Sequence, residues 1–160
     1  MYKINLRDVQ EEAFTSPNGK YHSASLNVSI ALGREPQSDS HSKRHPFDVE
    51  LCRVKPGTSM CPYHFHSAQW EHYIVLEGLG KMRTPEGMLT MEPGDHLLFP
   101  PHVPHQIIND GTVDLRFYIL ADNPYGEACY YPDSDKWMVP GAGKRHLVKG
   151  EIVDYFVGEE

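Results

Sequence analysis

Residues 60–78 read MCPYHFHSAQWEHYIVLEG, and the fold is decided by how that stretch is spaced. His64 and His66 stand two apart, so on an extended backbone they point to one face with Cα atoms roughly 6.5 Å apart. Both rings can then reach one ion. Glu71 follows five positions after His66, which on one continuous strand would turn it to the opposite face. A turn over 67–70 instead brings it onto the next antiparallel strand, facing the histidines. The spacing therefore predicts a hairpin with its polar groups inside. Two imidazoles and one carboxylate form a facial ligand set that leaves coordination positions open to water, substrate or dioxygen. Tyr73 and Val75 share the parity of Glu71 and are expected to line the same pocket.

Outward from this stretch the chain is broken into short pieces by thirteen prolines and thirteen glycines. No segment holds a 3.6-residue apolar period for more than about two turns, so helix is a minor component. Strands are expected over 47–54, 71–77, 81–84, 88–91, 96–99, 105–109 and 112–120, with turn chemistry between them such as Pro93-Gly94-Asp95 and Asp110-Gly111. Many short strands at this rhythm predict an all-β sandwich or barrel. Before them, alternation over 24–32 predicts one more strand with a buried face. The polar run 34–46 (REPQSDSHSKRHP) has no period and is expected to be a lid or a surface insertion. One domain spanning 1–160 is expected, with a core barrel over 47–120, N-terminal strands over 1–46 and an aromatic tail over 121–160 that wraps the barrel or a neighbouring subunit.

The chain of 160 residues carries a formal charge of -7 and no block of basic residues, which disfavours nucleic acid and favours a small-molecule ligand. No apolar run approaches the roughly 18 residues of a bilayer span, so no membrane partner is expected. Cys52, Cys61 and Cys129 lack framework spacing, which reads as reduced thiols in a cytoplasmic protein. Cys61, although near His64, reads as a buried thiol. His72, His96 and His102 have the wrong parity or sit in turns, and Asn109 reads as a partner for turn backbone.

Gly57-x6-His64-x-His66-x4-Glu71-x6-Gly78 resembles the first motif of the cupins. Gly87-x5-Pro93-Gly94-Asp95, Pro100 and His105-x3-Asn109 resemble the second. Two spacings depart from the usual pattern: the first gap has six residues where five are usual, and no residue separates Pro93 from Gly94. Both fall in turns. The resemblance implies a jelly-roll barrel, the double-stranded β-helix, and a single divalent ion (Fe, Mn, Ni or Zn) on His64, His66, Glu71 and His105. The tail, YYPDSDK at 130–136 and DYFVGE at 154–159, resembles that of small cupins regarded as sugar-phosphate isomerase-like.

Three activities follow as expectations. A metal-dependent isomerase of a sugar or keto compound needs a base, for which the sequence offers Glu50 or His45 without placing either. A dioxygenase needs iron and an open edge of the ion. A metal-containing binding module without turnover needs neither. A homodimer is expected from the alternating strand over 24–32 and from the aromatic tail.

Overall fold

The computed structural model describes residues 1–35, 38, 41–141 and 144–159. In chain order their strands are β1 (Glu11–Thr15), β2 (His22–Asn27), β3 (Phe47–Val54), β4 (Thr58–Ser59), β5 (Phe65–His66), β6 (Glu71–Glu77) and β7 (Gly80–Thr84). They continue with β8 (Gly87–Met91), β9 (His96–Phe99), β10 (Gln106–Asn109), β11 (Leu115–Asp122), β12 (Cys129–Tyr131), β13 (Lys136–Gly141) and β14 (Lys144–Val148). Two single helical turns, α1 (Val28–Ala31) and α2 (His41–Arg44), interrupt them.

The strands form three antiparallel sheets, ordered β1-β2-β3-β11-β6-β9, β4-β10-β7-β8 and β14-β13-β12-β5. The core is built from the first two. Along β6, Glu71, Tyr73 and Val75 are buried, and β11 buries Leu115 and Phe117 beside them. Cys52, Val54, Tyr73, Val75, Phe99, Leu115 and Phe117 of the first sheet join Met82, Met91 and Ile107 of the second in one cluster. Period-2 alternation on β-branched and aromatic residues thus produces two inward faces, which is the jelly-roll, double-stranded β-helix architecture. Phe117 is fully buried, and truncating such a ring to alanine typically costs about 3–5 kcal/mol. Gly78, at the end of β6, has φ +84°, and a Cβ there would run into the carbonyl oxygen of Asp114. Only glycine satisfies both conditions, so β6 can lie this close to the turn that feeds β11.

Four expectations are corrected. The strand expected over 24–32 stops at Asn27, because the hydroxyl of Ser29, a 1% exposed residue, accepts the Val49 N–H at 2.8 Å and the chain closes into α1 there. A tertiary bond outweighs local alternation. The hairpin expected over 64–77 is a crossover: β5 pairs β12, with His66 opposite Cys129, whereas β6 pairs β11 and β9. The tail is more than a wrapping segment, since β12 to β14 build the third sheet. Tyr73 and Val75, expected to line the pocket, both pack in the buried cluster between the sheets, and the Tyr73 hydroxyl alone reaches Glu71 and His105.

The polar run keeps its ends fixed. Arg34 pairs with Asp48 at 2.8 Å, and Arg44 donates to the carbonyl oxygens of Asn123 at 3.1 Å and Pro124 at 2.5 Å. Its residues 36, 37, 39 and 40 lie outside the described residues.

Candidate metal centre

The crossover solves the parity problem of Glu71 without a hairpin. His66 ends β5 in the third sheet, Glu71 opens β6 in the first, and His105 immediately precedes β10 in the second. His64 and His105 form an isolated antiparallel bridge, with backbone N–H to O distances of 3.1 and 2.8 Å. The structure thus brings His64, His66, Glu71 and His105 together. The ligand atoms of His64, His66 and Glu71 all lie within 4.8 Å of one another. His105, 2% exposed, places Nε2 2.8 Å from Glu71 Oε2.

The three rings share one orientation device. The Nδ1 of His64 lies 2.9 Å from the Pro62 carbonyl oxygen, that of His105 lies 3.0 Å from the Val103 carbonyl oxygen, and that of His66 lies 3.1 Å from Glu127 Oε1. With Nδ1 donating in each, every Nε2 keeps a lone pair free for a cation. Glu71 Oε2 is crowded: His105 Nε2 and the Tyr73 hydroxyl each stand 2.8 Å away, and His66 Nε2 stands 3.3 Å away. His66 Nε2 is buried without a hydrogen bond.

Electrostatics match this crowding. Burial by itself would raise the Glu71 carboxyl, yet the close approach of the His105 and His66 rings holds it well below its usual range. Burial, reinforced by the nearby His105, pushes His64 down to about 4, so its ring is neutral at pH 7. Burial would lower His66 too, but the Cys129 sulfur and the carboxylates of Glu127 and Glu71 outweigh it and push that ring up to about 12. A proton on His66 and a cation beside it therefore compete for the same electron-rich corner. An orphaned buried Nε2, a carboxylate approached by three groups, and a nitrogen and oxygen donor set all fit a divalent transition-metal ion.

These residues open on a cavity of about 480 Å³. Its wall carries Glu50, Arg34, Gln69, Asn123, Tyr131 and Arg145, with Cys61 and Cys129 close to the histidines. The Tyr131 ring stacks on His64 at 5.9 Å between centroids. Glu50 is a half-buried carboxyl whose protonation burial favours, assisted by Asp48. His45, the other base the sequence offers, is not on this wall. Asn109 is fully buried and bonds the Val54 and Val113 carbonyl oxygens at 2.7 and 2.9 Å, so it serves backbone. His72 and His96 pair with each other at 3.0 Å on the outer face of the first sheet.

Sequence reasoning missed Glu127, Tyr131 and Arg145. All three lie past the motif region, in a stretch with no periodicity to set their direction.

Comparison with known proteins agrees with this geometry. Residues 50–121 match the profile of the cupin domain. An uncharacterized protein of Methanocaldococcus jannaschii is 33% identical over 72 residues, covering 45% of this chain and 58% of that protein. Glucose-6-phosphate isomerase of Pyrococcus furiosus is 40% identical over 68 residues, covering 38% of this chain and 35% of that enzyme. The chain thus spans less than two thirds of the length of either relative. The crystal structure of a cupin-superfamily sugar phosphate isomerase from Silicibacter pomeroyi superposes with a TM-score of 0.76 at 24% identity, over 92% of each chain, a likeness of fold. The stretch that supplies His64, His66, Glu71 and His105 is thus the part of this chain that matches the cupin domain profile.

Proposed function

We propose that the chain is a metal-dependent isomerase of a small anionic hydroxy-carbonyl compound of the sugar phosphate class, with Glu50 as the proton carrier. The observation that carries this reading is the shared cavity: a His/Glu ligand set and a half-buried carboxyl, that of Glu50, face the same space. A divalent ion held by His64, His66, Glu71 and His105 would supply Lewis acidity to a substrate carbonyl. Glu50 supplies the other half of the chemistry, taking a proton from the hydroxyl-bearing carbon beside the carbonyl and returning it to the carbonyl carbon, while the proton of that hydroxyl passes to the carbonyl oxygen. Its partial burial suits this task, because a carboxyl drawn upward from its usual range is a stronger base than an ordinary carboxylate. Arg145 on the wall brings positive charge toward an anionic group, while Arg34 is already engaged by Asp48. The likeness to glucose-6-phosphate isomerase and to the sugar phosphate isomerase fold supports the substrate class.

The test is proton exchange in heavy water. The full chain, loaded in turn with Mn, Fe, Ni and Zn, is incubated with glucose 6-phosphate, fructose 6-phosphate and a panel of pentose and triose phosphates. Deuterium should appear at the carbon next to the carbonyl with at least one of them. Glu50→Gln should abolish exchange while metal content is unchanged. Ligand binding without exchange across the panel would make the chain a non-catalytic metal-containing binding module.

A further inference from the structure

The turn joining His66 to Glu71 is held almost entirely from one direction. The Ser67 N–H reaches the Ala128 carbonyl oxygen at 2.8 Å and Glu127 Oε1 at 3.1 Å. The N–H groups of Ala68 and Gln69 both reach Glu127 Oε2 at 2.9 Å, and that of Trp70 reaches Asp122 Oδ1 at 2.8 Å. All four turn donors thus end on the last residue of the first sheet's β11 or on the segment that follows it, with two carboxylates doing most of the accepting. Glu127 differs from Asp122 in one respect: its Oε1 also takes the His66 Nδ1–H, at 3.1 Å.

His64 and His105 orient themselves locally, each bonding a carbonyl oxygen two residues back along its own chain. Among the described residues, His66 has no such local carbonyl partner. Its acceptor lies 61 residues away, past the end of the cupin domain match at 121. The other group near its Nδ1 is the Cys129 sulfur at 3.4 Å, a weak hydrogen-bond partner.

We infer that Glu127 is a positioning residue of the candidate metal centre: by accepting the His66 Nδ1–H while clamping the 67–69 backbone, it aims Nε2 at Glu71 and the cavity. The inference rests on the reading of His64, His66, Glu71 and His105 as cation ligands. Glu127 also lies with His66 and Cys129 in a group whose ligand atoms are within 4.8 Å of one another, but in this reading it acts through His66 and is not itself a ligand. A carboxylate acceptor behind a ligating imidazole fixes the ring's tautomer and raises its basicity, and loss of such a partner typically weakens metal affinity about 10- to 100-fold. The ligand set is therefore incomplete without the segment that leads into the third sheet.

Two measurements on the full-length chain test this. One is zinc affinity by competition with a chelator. The other is the ring Nδ1–H resonance of His66, assigned by its disappearance in His66→Ala. Glu127→Gln should lose that resonance and bind zinc about 10- to 100-fold more weakly. Asp122→Asn loosens the same turn without touching His66 and should keep both properties. Should Glu127→Gln fail to fold, Glu127→Asp keeps the charge and shortens the reach, and it should displace the resonance and weaken zinc binding in the same direction. Retention of resonance and affinity in the Glu127 variant overturns the inference, as does an equal loss in Asp122→Asn. If the native chain binds no zinc, manganese or iron while Glu127→Gln still loses the resonance, the cation reading fails and the His66 contact stands.

Discussion

The Tyr73 hydroxyl donates to Glu71 Oε2 at 2.8 Å from two positions further along the same strand. Shared parity puts both side chains on the inner face of β6, but the tyrosine stays in the core and only its oxygen reaches the site. Tyr73→Phe removes that donor and leaves the ring packing in place. Thermal unfolding of the metal-free chain should show a loss of about 1 kcal/mol. Zinc titration of the same variant should show weaker binding, because Glu71 is then less firmly aimed. Unchanged unfolding and unchanged titration would mean that the hydroxyl contributes nothing to either.

Removing His64 and His66 together should empty the site. Elemental analysis of His64→Ala/His66→Ala purified without chelator is expected to show near-total loss of divalent metal relative to the native chain. The two rings supply half of the proposed ligands, and Glu71 with His105 is a poor substitute. Undiminished occupancy in a folded double variant would sink the assignment.

Stability of the metal-free chain should depend on pH with two limbs of opposite sign. His64 titrates at about 4 when folded, against an ordinary value of 6.5, so the unfolded chain binds a proton first as pH falls. Stability drops between pH 6.5 and 4, by on the order of 3 kcal/mol from this group. His66 titrates at about 12, so its contribution is complete below pH 6.5 and declines as pH rises from there toward 12. Denaturant unfolding at a series of pH values should show a shallower acid limb in His64→Ala and a shallower alkaline limb in His66→Ala. The same acid limb in native and His64→Ala chains would contradict the burial argument.

Arg44 pins the polar run to the chain beyond β11 through two carbonyl oxygens, and its guanidinium lies 4.4 Å from the centre of the Tyr125 ring. Arg34, at the other end, lines the cavity. Arg44→Ala is expected to leave metal content unchanged and to weaken ligand binding, because the segment then no longer holds its place beside the wall. Calorimetry with a sugar phosphate and metal analysis on one preparation decide the matter. Full ligand affinity would show that the run works as surface only.

A homodimer remains a proposal, and its motive now lies in the tail. With the alternating strand ending at Asn27, the tail offers the exposed apolar side chains of Leu147, Ile152, Tyr155, Phe156 and Val157. Ile152 is 104% exposed, and apolar side chains grouped in this way mark interaction surfaces. Light scattering at micromolar concentration should give twice the monomer mass, and truncation after Val148 should halve it. A monomeric native chain would refute the proposal.

Local pattern made β6, β9 and β3 legible, because each alternates or runs apolar between strong turn signals, and their observed bounds match the expected ones. The α1 turn was invisible for the opposite reason. Residues 28–31 continue the alternation, and the bond that overrides it joins Ser29 to Val49, which no local window contains. The site divides in the same way. His64, His66 and Glu71 are close in sequence and their residue types announce chemistry, whereas Glu127 is one glutamate in an aperiodic stretch and gains meaning only from the five donors it meets. Glu50 was visible as a residue, but its place on the cavity wall depends on how β3 sits against β11.

The crossover between β5 and β6 gives the centre a mechanical role. His66 belongs to the third sheet, Glu71 to the first, and His105 leads into the second. A cation seated among them is a rivet through three layers that otherwise meet only by packing and a few hydrogen bonds. Loading the site would then slow the separation of the sheets as well as fill a pocket, so amide exchange should slow in β5, β10 and β12 together, far beyond the residues that touch the ion.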